Sequence, residues 1–396
     1  RTAYMRRSSI REILKLTQQP DIISFAGGLP APELFPLERI QAAMRVVLEQ
    51  RSAEALQYST TEGCNDLRDW IAARMSRGGL YVTRDNILIV SGAQQAIDLI
   101  GRVLLDEGDL LALENPTYLG MLVAWRPYNL RYGVLPTDAD GLLVDRVEAV
   151  LRQNPKLMYL VPNFQNPQGV TLSDERRVQL VKLLADYGAV VVEDNPYGEL
   201  RYSGEAIPTL LEVDAAQRGS TTLDGHVIYA GTFSKILAPG LRLGWVAAPA
   251  PVIDKLVQAK QAADLQSSTL SQLLAYEVCR DGFIDGHIER IRSVYRDRRN
   301  IMLDALARHF PDEVRWTKPA GGLFLMVTLP EHLDATQLLK EALTYKVAYV
   351  PGTDFYIEGG ANTFRLNFSN AQPEMIEAGI QRLGALLKNV LVQQPA

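Results

Sequence analysis

The chain has 396 residues, 47% of them hydrophobic and 22% charged, which suits a large buried core in about two domains and excludes a disordered tail. A formal net charge of −5 gives no electrostatic drive toward nucleic acid or an anionic membrane surface. No apolar run is long enough for a membrane span, and no signal-peptide pattern occurs, so neither is expected.

The stretch Ile10-Arg11-Glu12-Ile13-Leu14 has amphipathic spacing near a chain end. Its neighbours Arg1, Arg6 and Arg7 are too few and too interrupted to act as a nucleic-acid arm. Gly27-Gly28 and Gly321-Gly322 lack the spacing of a dinucleotide or P-loop motif and read as turns where backbone can approach a ligand. Between residues 42 and 285, short β-rich runs alternate with helical patterns: Ile87–Ser91, Leu110–Glu114, Leu157–Val161, Ala189–Glu193, Val227–Gly231 and Gly244–Ala248. The alternation predicts a parallel α/β layer fold, with the polar stretch Ala215–Gly225 as a surface loop. From Gly286 the pattern changes to a long charged helix, Ile288–Phe310, then to strands at Leu323–Val327, Ala348–Pro351 and Phe364–Phe368, and closes on a helix from Pro373 to about Leu391. Residues 286–396, completed by 1–41, are expected to form a smaller α+β domain.

The predicted strands run into loops that carry chemistry. Ser91-Gly92-Ala93-Gln94 opens the helical run Ala96–Leu105, where backbone N–H groups and Gln94 offer an anion site. Asn166-Pro167-Gln168-Gly169 follows Leu157–Val161, and Asp194-Asn195-Pro196-Tyr197 follows Ala189–Glu193, so an amide, a carboxylate and a phenol stand at strand ends. The most informative segment is Thr232–Gly240, with Lys235 on a Pro/Gly turn and Arg242 seven positions later. A buried, cation-rich turn disfavours the ammonium form, which makes Lys235 a candidate Schiff-base lysine. Arg242 with the hydroxyls of Thr232 and Ser234 suits the dianionic phosphate of pyridoxal phosphate. Asp194 could pair with the pyridine nitrogen of that cofactor and keep it protonated, while Tyr197 donates to its phenolic oxygen. Arg365 lies in an apolar strand pattern and needs an anion, for which a substrate carboxylate and an internal Asp or Glu both serve. Tyr118 suits either ring stacking or the core. Cys64 and Cys279 imply no disulfide framework and read as reduced thiols of a cytoplasmic protein. His226, His287, His309 and His332 have no ligand spacing, so no metal is expected.

Taken in order, Gln57-Tyr58, Ser91-Gly92-Ala93-Gln94, Asn115-Pro116-Thr117-Tyr118, Asn166-Pro167-Gln168-Gly169, Asp194-Asn195-Pro196-Tyr197, Ser234-Lys235 and Arg365 resemble the class I/II pyridoxal-phosphate aminotransferases of fold type I, over nearly the whole chain. Within them, Ser24–Pro36 resembles the branch holding 2-aminoadipate and kynurenine aminotransferases. The resemblance implies a large domain (42–285), with a mostly parallel central sheet sandwiched by helices, beside the smaller α+β domain. It implies a homodimer in which Tyr58 reaches the partner's phosphate, with further cofactor contacts from Ala93, Gln94, Tyr118, Asn166, Thr232, Ser234 and Arg242. Arg365 would clamp the substrate α-carboxylate, with Gly28, Asn166 and Tyr58 nearby, while Ser8 and Arg11 meet the substrate side chain. The implied reaction is a ping-pong amino transfer from 2-aminoadipate, glutamate, an aromatic or a branched-chain amino acid to a 2-oxo acid such as 2-oxoglutarate, with Lys235, Asp194 and Tyr197 catalytic. A β-lyase or decarboxylase on the same scaffold, and the ligand-sensing domain of a transcriptional regulator, remain open alternatives. No basic helix-turn-helix pattern precedes Tyr4, which favours an enzyme.

Overall fold

The computed structural model describes residues 21–393, so Ser8 and Arg11 lie outside the described residues. Its largest sheet is built from β2 (Ile87–Val90), β3 (Leu110–Asn115), β4 (Arg131–Asp138), β5 (Gly141–Leu142), β6 (Leu157–Leu160), β7 (Val191–Asp194), β8 (Val227–Thr232) and β9 (Gly244–Ala247), where β1 (Ile23–Ser24) stands apart. The order across it is β2-β9-β8-β7-β6-β3-β4-β5. Every residue of β2, β6 and β7 is buried, as strands covered on both faces must be. From β3 the chain turns to β4 on one side and later returns to β6 on the other, both parallel to β3. A crevice at the carboxyl ends of β3 and β6 follows from that reversal of direction.

The sheet is not wholly parallel. β9 pairs antiparallel with both β8 and β2. Phe233–Leu243 joins β8 to β9 through only a short 3-10 turn at Pro239–Leu241, and a parallel return needs a longer crossover. The turn carrying Lys235 is thus the bend of a broad hairpin. β4 escapes the sequence pattern because Gly133 and Pro136 interrupt it, which a strand near the sheet edge tolerates.

A second, antiparallel sheet has the order β10 (Arg315–Trp316), β11 (Phe324–Thr328), β14 (Thr363–Asn367), β13 (Val350–Pro351), and β1 pairs with β12 (Val347–Ala348) in a small parallel ladder. The long helix starts earlier than its charge pattern suggests, at Phe283, and ends at His309, so it runs through position 285/286 without a break. The stretch Ala215–Gly225 is not all loop. A capping box between Thr209 and Glu212 starts the helix Leu210–Gln217, and Ala215 and Leu223 are buried.

Close backbone packing joins the two sheets. A Cβ on Gly321 would lie 2.3 Å from the Leu200 carbonyl and 2.4 Å from the Phe164 ring, which explains the glycine pair as a packing requirement. On the other side, Arg177 in the helix Asp174–Tyr187 is fully buried. It donates to the carbonyls of Leu172 (3.0 Å), Pro208 (2.9 Å) and Pro162 (3.0 Å) and to Asn163 Oδ1 (2.7 Å). Those bonds hold both ends of the loop that carries Asn166. Truncating Arg177 to alanine would leave three acceptors unpaired, since the Pro162 carbonyl keeps its bond from the Leu172 amide at 2.9 Å, and should cost at least about 3 kcal/mol. Denaturant unfolding of Arg177→Ala measures this, and a loss below about 1 kcal/mol would show that the loop is anchored elsewhere.

Candidate active site

The carboxyl ends of β3, β6, β7 and β8 surround a cavity of about 310 Å³. Gly28, Ala93, Gln94, Tyr118, Asn166, Asp194, Tyr197, Thr232, Ser234, Lys235, Arg242 and Arg365, drawn from separated motifs of the sequence, all line it. Tyr58 does not. It is 79% exposed on the surface of this chain.

Lys235 is half-buried, and its Nζ donates to the Gly28 carbonyl at 2.8 Å. Burial, and then the nearby charges of Arg365 and Arg242, lower its pKa to about 8. Arg365 sits in the middle of β14, between Met326 of β11 and Val350 of β13. Its guanidinium donates to Asn166 Oδ1 and to the Ala26 carbonyl, both at 2.7 Å, and lies 4.1 Å from the Phe324 ring centre. Nε is buried without a partner. No described acidic residue forms an ion pair with Arg365, and desolvation pulls its pKa down to about 10. A guanidinium so placed is short of an anion. Of the two partners the sequence allowed, the internal carboxylate is absent among the described residues.

Asp194 lines the same cavity. Its Oδ2 accepts from the Tyr159 hydroxyl at 2.5 Å, while Oδ1 is buried and unpaired. Burial raises the pKa of this carboxyl to about 7. A ring N–H⁺ is the kind of donor Oδ1 lacks. Tyr197, buried and edge-on to Phe324 at 5.9 Å, is hydrogen-bonded by Asn166, although desolvation raises the phenol well above its ordinary pKa. Tyr118 is half-buried at the N-terminus of the helix Leu119–Trp125, with one face toward the cavity, and burial pushes its pKa up to about 12. Glycine is required at position 120, since a Cβ there would lie 2.4 Å from the Tyr118 ring.

The remaining wall suits a phosphate. Thr232 Oγ1 donates to Ser234 Oγ at 3.0 Å and accepts from the Ser234 amide at 3.1 Å. Arg242 projects beside them from a left-handed backbone (φ 52) and donates to the Ser91 carbonyl at 3.0 Å. A Cβ on Gly92 would come within 2.6 Å of Arg242 Nη2, so glycine is needed there. The helix Ala93–Leu104 begins at this point and turns its free N–H groups to the same corner. The residues therefore fit pyridoxal phosphate at both ends, with Asp194 Oδ1 for the ring nitrogen and the Arg242 corner for the phosphate.

A model of the family described as aminotransferase class I and II matches residues 22–383. The chain is a class I and II aminotransferase. It is 45% identical over 392 residues to aromatic-amino-acid aminotransferase 1 of Thermococcus litoralis, covering 97% of this chain and 92% of that one. With 2-aminoadipate transaminase of Thermus thermophilus it shares 44% over 386 residues, covering 97% and 94%. The crystal structure of α-aminoadipate aminotransferase from Thermus thermophilus, complexed with N-(5′-phosphopyridoxyl)-L-leucine, superposes with a TM-score of 0.92 at 42% identity, covering 99% of this chain and 97% of that one. The fold is that of the fold type I enzymes, and the aminotransferase is a pyridoxal-phosphate-dependent transaminase.

Two residues carried no sequence signal for their part. Tyr159 is one aromatic in the buried run Leu157–Leu160, yet it is the partner of Asp194. Phe324 supports Arg365 from a strand that looks like core. Gly28, expected near the substrate, meets Lys235 through its carbonyl. If Lys235 is the amine that captures pyridoxal phosphate, capture by the cofactor-stripped aminotransferase needs it neutral. Because the pKa is lowered to about 8, the rate of capture should climb as pH rises toward that value and level off above it. Stopped-flow absorbance across pH measures this; a rate still climbing toward 10.5, the ordinary lysine value, would show that the amine is not perturbed.

Proposed function

We propose that the aminotransferase transfers the amino group of 2-aminoadipate, glutamate, an aromatic or a branched-chain amino acid to a 2-oxo acid, with 2-oxoglutarate as the principal acceptor. The observation that carries this reading is Arg365, a buried cation without an acidic partner, in the same cavity as a lysine of lowered pKa. The activities named for the relatives, on aromatic amino acids and 2-aminoadipate, support the substrate range.

When bound, pyridoxal phosphate supplies a carbonyl that takes up the amino group and a ring that withdraws electrons from the substrate α-carbon. Lys235 Nζ would hold the cofactor covalently and, when free, its neutral amine would accept the proton that leaves the substrate α-carbon, carry it as the ammonium and give it up again when the amino group is transferred. Arg365 holds the α-carboxylate through its unpaired guanidinium edge, braced by Asn166 and the Ala26 carbonyl. Asp194 keeps a proton on the ring nitrogen at Oδ1, and the Tyr159 bond fixes its other oxygen. Tyr197, with Asn166, donates to the phenolic oxygen, and Tyr118 stacks on the ring. Thr232, Ser234, Arg242, Gln94 and the amide of Ala93 hold the phosphate. Gly28 shapes the substrate side of the cavity. Two half-reactions through one site give ping-pong order.

On this reading residues 42–285 bind the cofactor, and 286–396 with 1–41 supply Arg365 and the substrate-facing segment. A homodimer fits the exposure of Tyr58 (79%) and Leu56 (73%), with Tyr58 reaching the partner's phosphate and substrate. Ser8 and Arg11 are assigned to the substrate side chain by family resemblance alone. Among the described residues no helix is long and apolar enough to cross a membrane, and both cysteines are buried and unpaired, which suits a cytoplasmic enzyme.

The direct test is a panel of amino acids with 2-oxoglutarate, scored for keto-acid formation against ammonia release. Release of ammonia without glutamate would mean a lyase. Asp194→Asn keeps the shape but removes the charge, and the half-reaction should slow by about 10²–10³-fold with little change in the substrate Kd. Equal half-reaction rates would remove Asp194 from the catalytic set. Arg11→Ala should weaken the transition-state interaction with 2-aminoadipate or glutamate by about 1.5–3 kcal/mol and leave leucine and phenylalanine nearly unchanged. The ratio of kcat/KM values reads this out, and parallel losses would make Arg11 structural.

A further inference from the structure

Lys260 is a buried cation that the reaction leaves unused. It lies in the last turn of the helix Ala250–Ala263 with no solvent exposure, among apolar Ile253, Leu256 and Val257 of the same helix. Packing alone does not call for a charge there, and a buried ammonium is costly unless it is paired and hydrogen-bonded. Its Nζ donates to both oxygens of Asp264, at 2.6 and 2.8 Å, and to Gln95 Oε1 at 3.2 Å. Asp264 Oδ2 also accepts from Gln95 Nε2 at 2.7 Å and from Ser91 Oγ at 3.4 Å. Gln95 Oε1 accepts from the Ser91 amide at 2.7 Å. The Ser91 carbonyl accepts in turn from Arg242 Nη2 at 3.0 Å.

An unbroken line of bonds therefore runs from Lys260 through Gln95 and Asp264 to the Ser91-Gly92 turn, and from there to the guanidinium on the cavity wall. The guanidinium at the end of that line springs from a demanding backbone: Arg242 has φ 52, a left-handed state that a non-glycine residue keeps only where the surroundings enforce it. We propose that Lys260 is a positioning residue for the cofactor phosphate: with Asp264 and Gln95 it holds the Ser91-Gly92 turn, and through it Arg242 and the first N–H groups of the helix Ala93–Leu104, in the geometry that receives the phosphate. The inference rests on the placement of the phosphate at the Arg242 corner proposed above. A corner already ordered before the ligand arrives binds it more tightly than one the ligand must order.

The test uses cofactor-stripped protein of the wild type, Lys260→Met, Gln95→Leu and the double variant, with thermal melts to establish that each is folded. Binding of pyridoxal 5′-phosphate and of pyridoxal, which lacks the phosphate, is followed by intrinsic fluorescence. Each single variant should weaken pyridoxal 5′-phosphate by about tenfold, the weight of one charge-assisted bond, and change pyridoxal by less than about twofold. The double variant should bind no more weakly than the worse single one, because both substitutions break the same line. Equal weakening of both ligands, no weakening of either, or additive losses in the double variant would make Lys260 a packing residue and overturn the inference. Should Lys260→Met fail to fold, Gln95→Leu at a half-buried position carries the same comparison. If the wild type itself does not discriminate between the two ligands, the placement of the phosphate fails, and this inference with it.

Discussion

The molecule depends on charges buried without their natural counter-ions. Arg365, Lys235 and Asp194 share one cavity, yet none of them forms an ion pair with another described residue. Isolated, each is expensive to desolvate, and each shifts toward its neutral form: Lys235 to about 8, Arg365 to about 10 and Asp194 to about 7. A direct contact between Asp194 and either cation would remove that cost and the chemistry with it. The fold keeps the carboxylate and the cations apart, and under the assignments proposed above a ring nitrogen would answer Asp194, a substrate carboxylate Arg365, and a carbonyl the Lys235 amine.

Holding such groups apart needs a rigid frame. Each is mounted on a different element: Asp194 at the end of β7, Lys235 in the bend between β8 and β9, and Arg365 in the middle of β14. Neutral groups then fix each one. The Tyr159 hydroxyl holds Asp194, the Gly28 carbonyl holds Lys235, and Asn166 with the Ala26 carbonyl holds Arg365. Neutral partners orient a charge without neutralising it, which is the pre-organisation that electrostatic catalysis requires.

The same economy appears one layer out. Arg177 satisfies its guanidinium on three carbonyls and an amide, and so ties the Asn166 loop without importing a carboxylate near the site. Glu114, buried at the end of β3, accepts from the Val161 amide at 3.0 Å, and burial raises its pKa to about 8. It joins the strands that lead to Tyr118 and Asn166 while burial favours its uncharged form. Among the described residues an ion pair takes this role at Lys260 and Asp264, whose carboxylate is partly exposed.

By itself the sequence determined the order of the chemistry. Residues at strand ends are read from hydrophobic runs that stop at polar loops, so Asp194, Asn166, Tyr197 and Lys235 could be placed at one edge of a sheet from local pattern alone. Local pattern also predicted the alternation of strands and helices, the long helix within a few residues, and the strand bearing Arg365. What it could not reach were relations between distant segments. The antiparallel course of β9 depends on a connection too short to cross over. Gly321-Gly322 is explained by the nearness of Leu200 and Phe164, more than a hundred positions earlier. Tyr159 looks like any core aromatic until β6 and β7 pair and bring its hydroxyl to Asp194. The absence of an acid beside Arg365, which separates a carboxylate clamp from an internal ion pair, is likewise a fact of packing. Periodicity encodes which face of an element is buried; only the folded chain decides what that face meets.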